Sequence, residues 1–150
     1  MALTKIFTGM EKGPEAIDAN FESVNTTDSG WSSAGITYLN GFVADSSDPI
    51  GYRVVKIGGL ILFMLTGYIS GTGADGDVAK LPTNLADYYD DTKYHIKSTV
   101  GRSIVRNVKA KVSVSNTGVI NLVTYPGTAD AKLHKGDGIW IDQLSFLEAK

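Results

Sequence analysis

The residues of this chain with chemistry to offer are aromatic rings set beside carboxylates and imidazoles. The densest group is Asp87-Tyr88-Tyr89-Asp90-Asp91, closely followed by Tyr94 and His95, and the two largest rings elsewhere are Trp31 and Trp140. An aromatic face packs against the apolar side of a sugar ring, and carboxylates or imidazoles take up its hydroxyls. Tyr125, Arg102, His134 and Asp137 extend the same inventory. A plainer reading stands beside this one. Residues 87–91 then form a solvated acidic loop whose tyrosines cover one end of the fold, Trp140 belongs to the core, and Trp31 packs on a sheet or on a helix near the N-terminus.

Covalent and metal chemistry find little footing. The chain has no Cys, which excludes thiolate nucleophiles, disulfides and Cys-ligated zinc. His95 and His134 lie far apart, and a zinc site needs three or four ligands. Asp75-Gly76-Asp77 has the look of a calcium loop but lacks the later ligands and the bidentate Glu, so it reads as a turn. No phosphate-cradling Gly-rich loop, Walker lysine or Gly-x-Ser-x-Gly is present. Asp90 and Asp91 are adjacent, a poor placement for two carboxylates that must flank a glycosidic bond. The chain therefore reads as a binding or structural protein, not an enzyme, and no cofactor or metal is expected.

The elements that must position these residues are mostly short strands. Gly13-Pro14-Glu15 opens a helix predicted over residues 14–24, with Pro in the first turn and an acidic residue at the positive end of the dipole. Ile17, Phe21 and Val24 give it a single apolar stripe, and so short a helix must dock on its own domain or on a neighbour. Residues 25–30 read as a polar connector. Strands are expected near 31–33, 36–44, 52–57, 60–70, 77–80, 94–100, 104–114, 118–125 and 138–147, with a Gly58-Gly59 turn and a Ser115-Asn-Thr-Gly118 hairpin turn. The fold class is mainly β: an antiparallel β-sandwich, jelly-roll-like, with one short N-terminal helix. Two regions follow, an N-terminal attachment segment (1–28) and a head domain (29–150).

The strand at 60–70 is apolar on both faces. Leu60, Leu62, Met64, Thr66 and Tyr68 fall on one side and Ile61, Phe63, Leu65 and Ile69 on the other. An antiparallel sheet in a small domain usually needs one apolar face. The second suggests another burial surface, most simply a second copy of the chain.

Bulk properties agree with a folded domain of one core. The 150 residues are 43% hydrophobic and 20% charged, so long disorder is not expected. There are 17 Gly against 4 Pro, which favours many tight turns. A net charge of −2 without a basic block argues against nucleic acid as a partner. The longest apolar run, Leu60–Leu65, is far short of a membrane span, and Met1–Met10 lacks the apolar core of a signal peptide. Neither membrane insertion nor an export signal of its own is expected, and synthesis is expected in a cytoplasm.

The order of these motifs resembles a known family. Tyr52-Arg-x-x-Lys-Ile-Gly58 leads into an apolar strand ending Thr66-Gly-Tyr-Ile-Ser-Gly71; then come Val78-Ala-Lys-Leu-Pro82, the hairpin Val112–Val123 and the aromatic strand Gly138-Ile-Trp-Ile-Asp-Gln-Leu-Ser-Phe146. Together they resemble the head domain of bacteriophage tail-fibre and receptor-binding proteins, over about residues 50–147. Phe7-Thr-Gly-Met-Glu-Lys-Gly-Pro-Glu-Ala-Ile-Asp-Ala-Asn-Phe21 is similar to the start of tail and baseplate proteins in phages of Gram-positive bacteria. The resemblance implies a virion tail protein: a homotrimer whose β-sandwich heads bind host cell-wall saccharide. It also implies that residues 1–25 join the head to other tail or baseplate proteins. The chain has no heptads, and so no coiled-coil neck. The alternative within the same setting is a structural baseplate or tail accessory protein without a saccharide site.

Overall fold

A computed structural model of the chain describes residues 5, 11–23, 26–58, 60–70, 75–89, 99–102, 109–124 and 138–148. Helix α1 (Gly13–Ser23) is followed by strands β1 (Thr26–Asp28), β2 (Thr37–Tyr38), β3 (Val43–Ala44), β4 (Gly51–Ile57), β5 (Leu60–Ser70) and β6 (Gly76–Lys80). A 3₁₀ turn (Thr83–Leu85) runs into the short helix α2 (Ala86–Tyr89), and β7 (Thr99–Arg102), β8 (Lys109–Val114), β9 (Val119–Thr124) and β10 (Gly138–Glu148) complete the fold. The pairing is antiparallel throughout, in the order β1-β4-β5-β10-β7-β8-β9-β6-β2, with β3 added to the end of β5. Among the described residues, the ladder between β10 and β7 has a single register pair, Trp140 with Arg102. That thin seam divides the strands into two layers, and the expected β-sandwich with a short N-terminal helix is what forms.

The core lies between the layers. Ile61, Phe63 and Leu65 of β5 and Ile139 and Ile141 of β10 meet Val112 of β8 and Ile120 and Leu122 of β9, all buried. Along β5 burial alternates without a break: odd-numbered residues are buried and even-numbered ones half-buried, the period-2 pattern of a strand. Leu60, Leu62 and Met64 thus make an apolar outer face. Across the hairpin they sit opposite Ile57, Val55 and Arg53, and Ile57 is 44% exposed. Gly58, with φ 57°, opens the turn that joins β4 to β5 at the register Ile57 with Leu60.

Three local expectations are revised, and the α1 stripe is left to a neighbour. Residues 36–44 do not run as one strand: Asn40 (φ 52°) and Gly41 (φ 81°) turn the chain, so β2 pairs with β6 in one layer and β3 with β5 in the other. Residues 31–33 keep only a bridge, in which Ser32 and Tyr52 exchange backbone hydrogen bonds of 2.9 and 2.8 Å. The connector at 25–30 contains β1, bound to Val55–Ile57 of β4. Within α1, Ala16 is buried, but Phe21 is 70% exposed and Ile17 is exposed as well, so the described part of the domain leaves that stripe uncovered. Val24, residues 94–98 and residues 104–108 lie outside the described residues.

Candidate binding cleft

Two tryptophans far apart in sequence come to the same place. Trp31, Ser32 and Ser33 form one wall of an open cleft of about 260 Å³, Ser47, Asp48 and Pro49 form another, and Gly51, Thr66, Gly67 and Trp140 complete it. This lies just below the roughly 300 Å³ at which small-molecule sites usually begin. The cleft occupies the end of the outer face of β5, continuous with the Leu60–Met64 surface.

Each wall is built on fixed backbone. Before Trp31, Ser29 N–H donates to the Val54 carbonyl (3.0 Å) and the Ser29 hydroxyl accepts the Val54 N–H (2.9 Å). After it comes the Ser32–Tyr52 bridge. The Asp28 carboxylate accepts the Gly30 N–H at 2.9 Å and forms a two-pronged ion pair with Arg53, whose Nε lies 2.9 Å from Oδ1 and whose Nη2 meets Oδ2. The guanidinium hydrogen bond, helped by the Gly30 N–H, holds the Asp28 carboxyl down at about 2. Trp31 is therefore a ring 50% exposed on a segment pinned at both ends.

The opposite wall is an aspartate turn. Asp45 Oδ1 accepts the N–H groups of Ser47 and Asp48, both at 2.9 Å, and these bonds keep the Asp45 carboxyl below its usual range. The Asp48 carbonyl then accepts the Tyr68 N–H at 2.8 Å, and the Ile50 N–H donates to the Tyr38 hydroxyl at 3.0 Å. Gly67 makes this approach possible. Its φ is 125°, and a Cβ there would lie 2.5 Å from the Pro49 carbonyl oxygen and 2.7 Å from Ile50 Cα. At the far end Tyr68 and Trp140 pack as a tilted pair, 5.1 Å between centroids, with the Tyr68 ring laid where any side chain at Gly138 would stand.

The aromatic and acidic residues singled out in the sequence divide into three groups. Trp31 and Trp140 share the cleft. Core packing for Trp140 does not occur: its neighbours Ile139 and Ile141 face the core, and Trp140 is half-buried on the outer side. Asp87, Tyr88 and Tyr89 belong to α2 instead of a loop, and their rings serve the fold. Tyr89 is only 5% exposed, its phenol is pushed up by burial, and its ring lies against Gly118, where a Cβ would come within 2.7 Å of it. Tyr88 stacks on Phe63 with centroids 6.1 Å apart, and Lys56 Nζ sits 5.6 Å from the Tyr88 centroid. Asp87 is exposed. Asp90, Asp91, Tyr94 and His95 lie outside the described residues, as do Tyr125, His134 and Asp137.

Sequence reasoning missed Ser32, Ser33, Ser47, Asp48 and Thr66. The available signal was Asp45-Ser-Ser-Asp-Pro49, a run whose composition fits an aspartate turn. Of Asp75-Gly76-Asp77, expected to be a turn, Gly76 and Asp77 instead begin β6, and both carboxylates bond to β9. Asp75 Oδ1 accepts the Thr124 N–H and Asp77 Oδ1 accepts the Asn121 amide, both at 2.9 Å. Among the described residues no three His, Asp or Glu side chains gather as a metal site, and no helix is long and apolar enough to cross a membrane.

Comparison with solved structures finds the same fold in the crystal structure of the receptor binding protein (gp15) of Listeria phage PSA. The TM-score is 0.55 at 23% sequence identity, over 94% of this chain and 82% of that one. No family model matches the sequence. No curated protein matches it either.

Proposed function

We propose that this chain is a receptor-binding protein of a phage tail, that it attaches to saccharide of the host cell wall, and that it does so by binding alone, with no catalytic step. The observation that carries the reading is the cleft: an indole half exposed on a pinned segment, a second, half-buried indole in the same lining, and with them Ser32, Ser33, Ser47 and Asp48. Rings supply the apolar stacking surface and the polar groups fix orientation, which is the division of labour a sugar site needs. The fold shared with a phage receptor binding protein supports the reading of a tail protein. Individual sites of this openness bind weakly, and many copies on a virion supply avidity.

Assembly belongs to the same proposal. The half-buried face of Leu60, Leu62 and Met64, extended by Val55 and Ile57, fits a surface covered by neighbouring copies in a homotrimer. The exposed stripe of Ile17 and Phe21 on α1 fits docking of residues 1–25 onto other tail or baseplate proteins. That stripe equally suits the alternative, an accessory protein with no saccharide site.

Co-sedimentation of the purified chain with host cell walls tests the reading. Wild type is expected in the pellet, and Trp31→Ala in the supernatant with its melting temperature unchanged. Wild type that stays in solution refutes wall recognition and leaves the accessory role. Light scattering tests assembly: a trimer is expected at micromolar concentration, and a stable monomer there refutes it.

A further inference from the structure

Receptor binding by a cleft says little about which sugar is bound, but one side chain in this cleft narrows the class. Five aspartates lie between residues 28 and 77, and four have carboxylates engaged inside the protein. Asp28 grips Arg53, Asp45 holds the N–H groups of Ser47 and Asp48, Asp75 takes the Thr124 N–H, and Asp77 takes the Asn121 amide. The fifth, Asp48, lines the cleft and is exposed, and among the described residues its carboxylate has no hydrogen-bond or ion-pair partner. Its backbone, by contrast, is fixed at both ends, by the Asp45 carboxylate on its N–H and the Tyr68 N–H on its carbonyl. The protein thus fixes the backbone that carries this carboxylate, while the described part of the fold makes no use of the carboxylate itself.

An ionised carboxylate only accepts hydrogen bonds, through two oxygens on one plane. Two adjacent hydroxyls of a sugar ring are two donors at a matching spacing, and bonds to a charged acceptor are about twice as strong as neutral ones. Resting on the receptor-binding reading above, we propose that the cleft takes a pyranose with a free vicinal diol. The apolar face of the ring lies on an indole, and the two hydroxyls donate to the oxygens of Asp48. Asp48 is then the specificity-determining residue. A ring substituted at either hydroxyl leaves it unpaired, and a ring carrying an anionic group there is repelled.

The test uses the full chain, host cell walls, and the same walls after mild periodate oxidation and borohydride reduction, which opens vicinal diols. Wild type is expected to bind untreated walls and to lose about tenfold or more of its affinity for oxidised ones, the scale of a charged hydrogen bond. Asp48→Ala and Asp48→Asn are expected to lose binding to untreated walls on the same scale while melting with wild type. Monosaccharides released from the walls should compete, and glycerol at equal concentration should not. Equal binding to oxidised walls, or Asp48 variants that bind like wild type, overturns the diol assignment and leaves the receptor role standing. Glycerol competing as well as the monosaccharides, or monosaccharides that do not compete, overturns the ring requirement. Wild type that binds no wall at all overturns the receptor reading itself.

Discussion

Gly67 is the position on which the cleft most depends, and Gly67→Ala has a calculable cost. Its φ of 125° lies where an L side chain is strained, at about 1–3 kcal/mol. The new methyl would also stand 2.5 Å from the Pro49 oxygen, 2.7 Å from Ile50 Cα and 2.9 Å from Ile50 N, all backbone atoms that cannot rotate aside. Relief requires β5 and the 45–50 loop to separate, and the nearest bond to give way is Tyr68 N–H to the Asp48 carbonyl, 2.8 Å long and worth about 1 kcal/mol. The sum is about 2–4 kcal/mol, or a fall in melting temperature of about 5–15 °C for a chain of this size. Gly76→Ala separates the two contributions. Gly76 has a φ of 141° with no atom within 4 Å of its added Cβ, so it carries the backbone strain without the collision. Thermal unfolding followed by circular dichroism should rank wild type above Gly76→Ala and Gly76→Ala above Gly67→Ala. Gly67→Ala melting together with Gly76→Ala would show that the loop does not press on β5 as described.

Two further substitutions probe the supports of the fold. Phe63→Ala removes a fully buried ring and the surface on which Tyr88 stacks, so urea unfolding should show a loss of about 3–5 kcal/mol; a loss below about 1 kcal/mol would mean that the site collapses freely. Asp28→Asn tests the ion pair with Arg53 through its pH dependence. The carboxyl is depressed from 3.8 to about 2 in the folded protein, so its contribution is present above the unfolded value and is lost as pH falls through the folded one. The gap in urea midpoint between wild type and Asp28→Asn should be steady above about pH 5 and should shrink toward zero by about pH 2. A gap that persists unchanged in acid would assign the effect of the substitution to something other than the charge.

What was legible in the sequence follows from which forces leave a local trace. The bounds of β5 were plain because eleven residues alternate between a buried and a half-buried side, and period 2 is written directly in residue type. The Ser115–Gly118 turn was equally plain, since Gly118 adopts φ 77° where few other residues can. β1 left no trace: its three residues, Thr-Thr-Asp, are exposed along an edge, and backbone pairing alone selects no side chains. The break in 36–44 did carry a signal, Asn40-Gly41, which the apolar residues on either side obscured. In the site, Trp31 and Trp140 stood out by type, but their convergence depends on β10 pairing with β5 and on the Ser32–Tyr52 bridge, both long-range events. The acidic tyrosine cluster carried two readings, because ring and carboxylate together describe a sugar site and a helix closing a core equally well; burial assigns Tyr89 to the core, while Asp90 and Asp91 lie outside the described residues.

The two functions proposed for β5 constrain each other because one face carries both. Leu60, Leu62 and Met64 precede Thr66, Gly67 and Tyr68 on a single strand, so whatever covers the apolar half ends beside the cleft. Ser32 bridges Tyr52, which pairs with Leu65, whereas Trp140 pairs with Tyr68, so a neighbouring copy seated on Leu62 would reach the Trp31 side of the cleft before the Trp140 side. A charge placed in the middle of the apolar half, Leu62→Lys, therefore separates the roles. It should abolish assembly while the cleft of each free chain, built wholly from bonds within the chain, keeps its affinity for a monosaccharide. Wall binding by such a chain should fall only by the loss of avidity. If monosaccharide affinity also disappears, the cleft is completed by the neighbour, and the rigid walls formed by Ser29–Ser32 and Asp45–Ile50 are not sufficient by themselves.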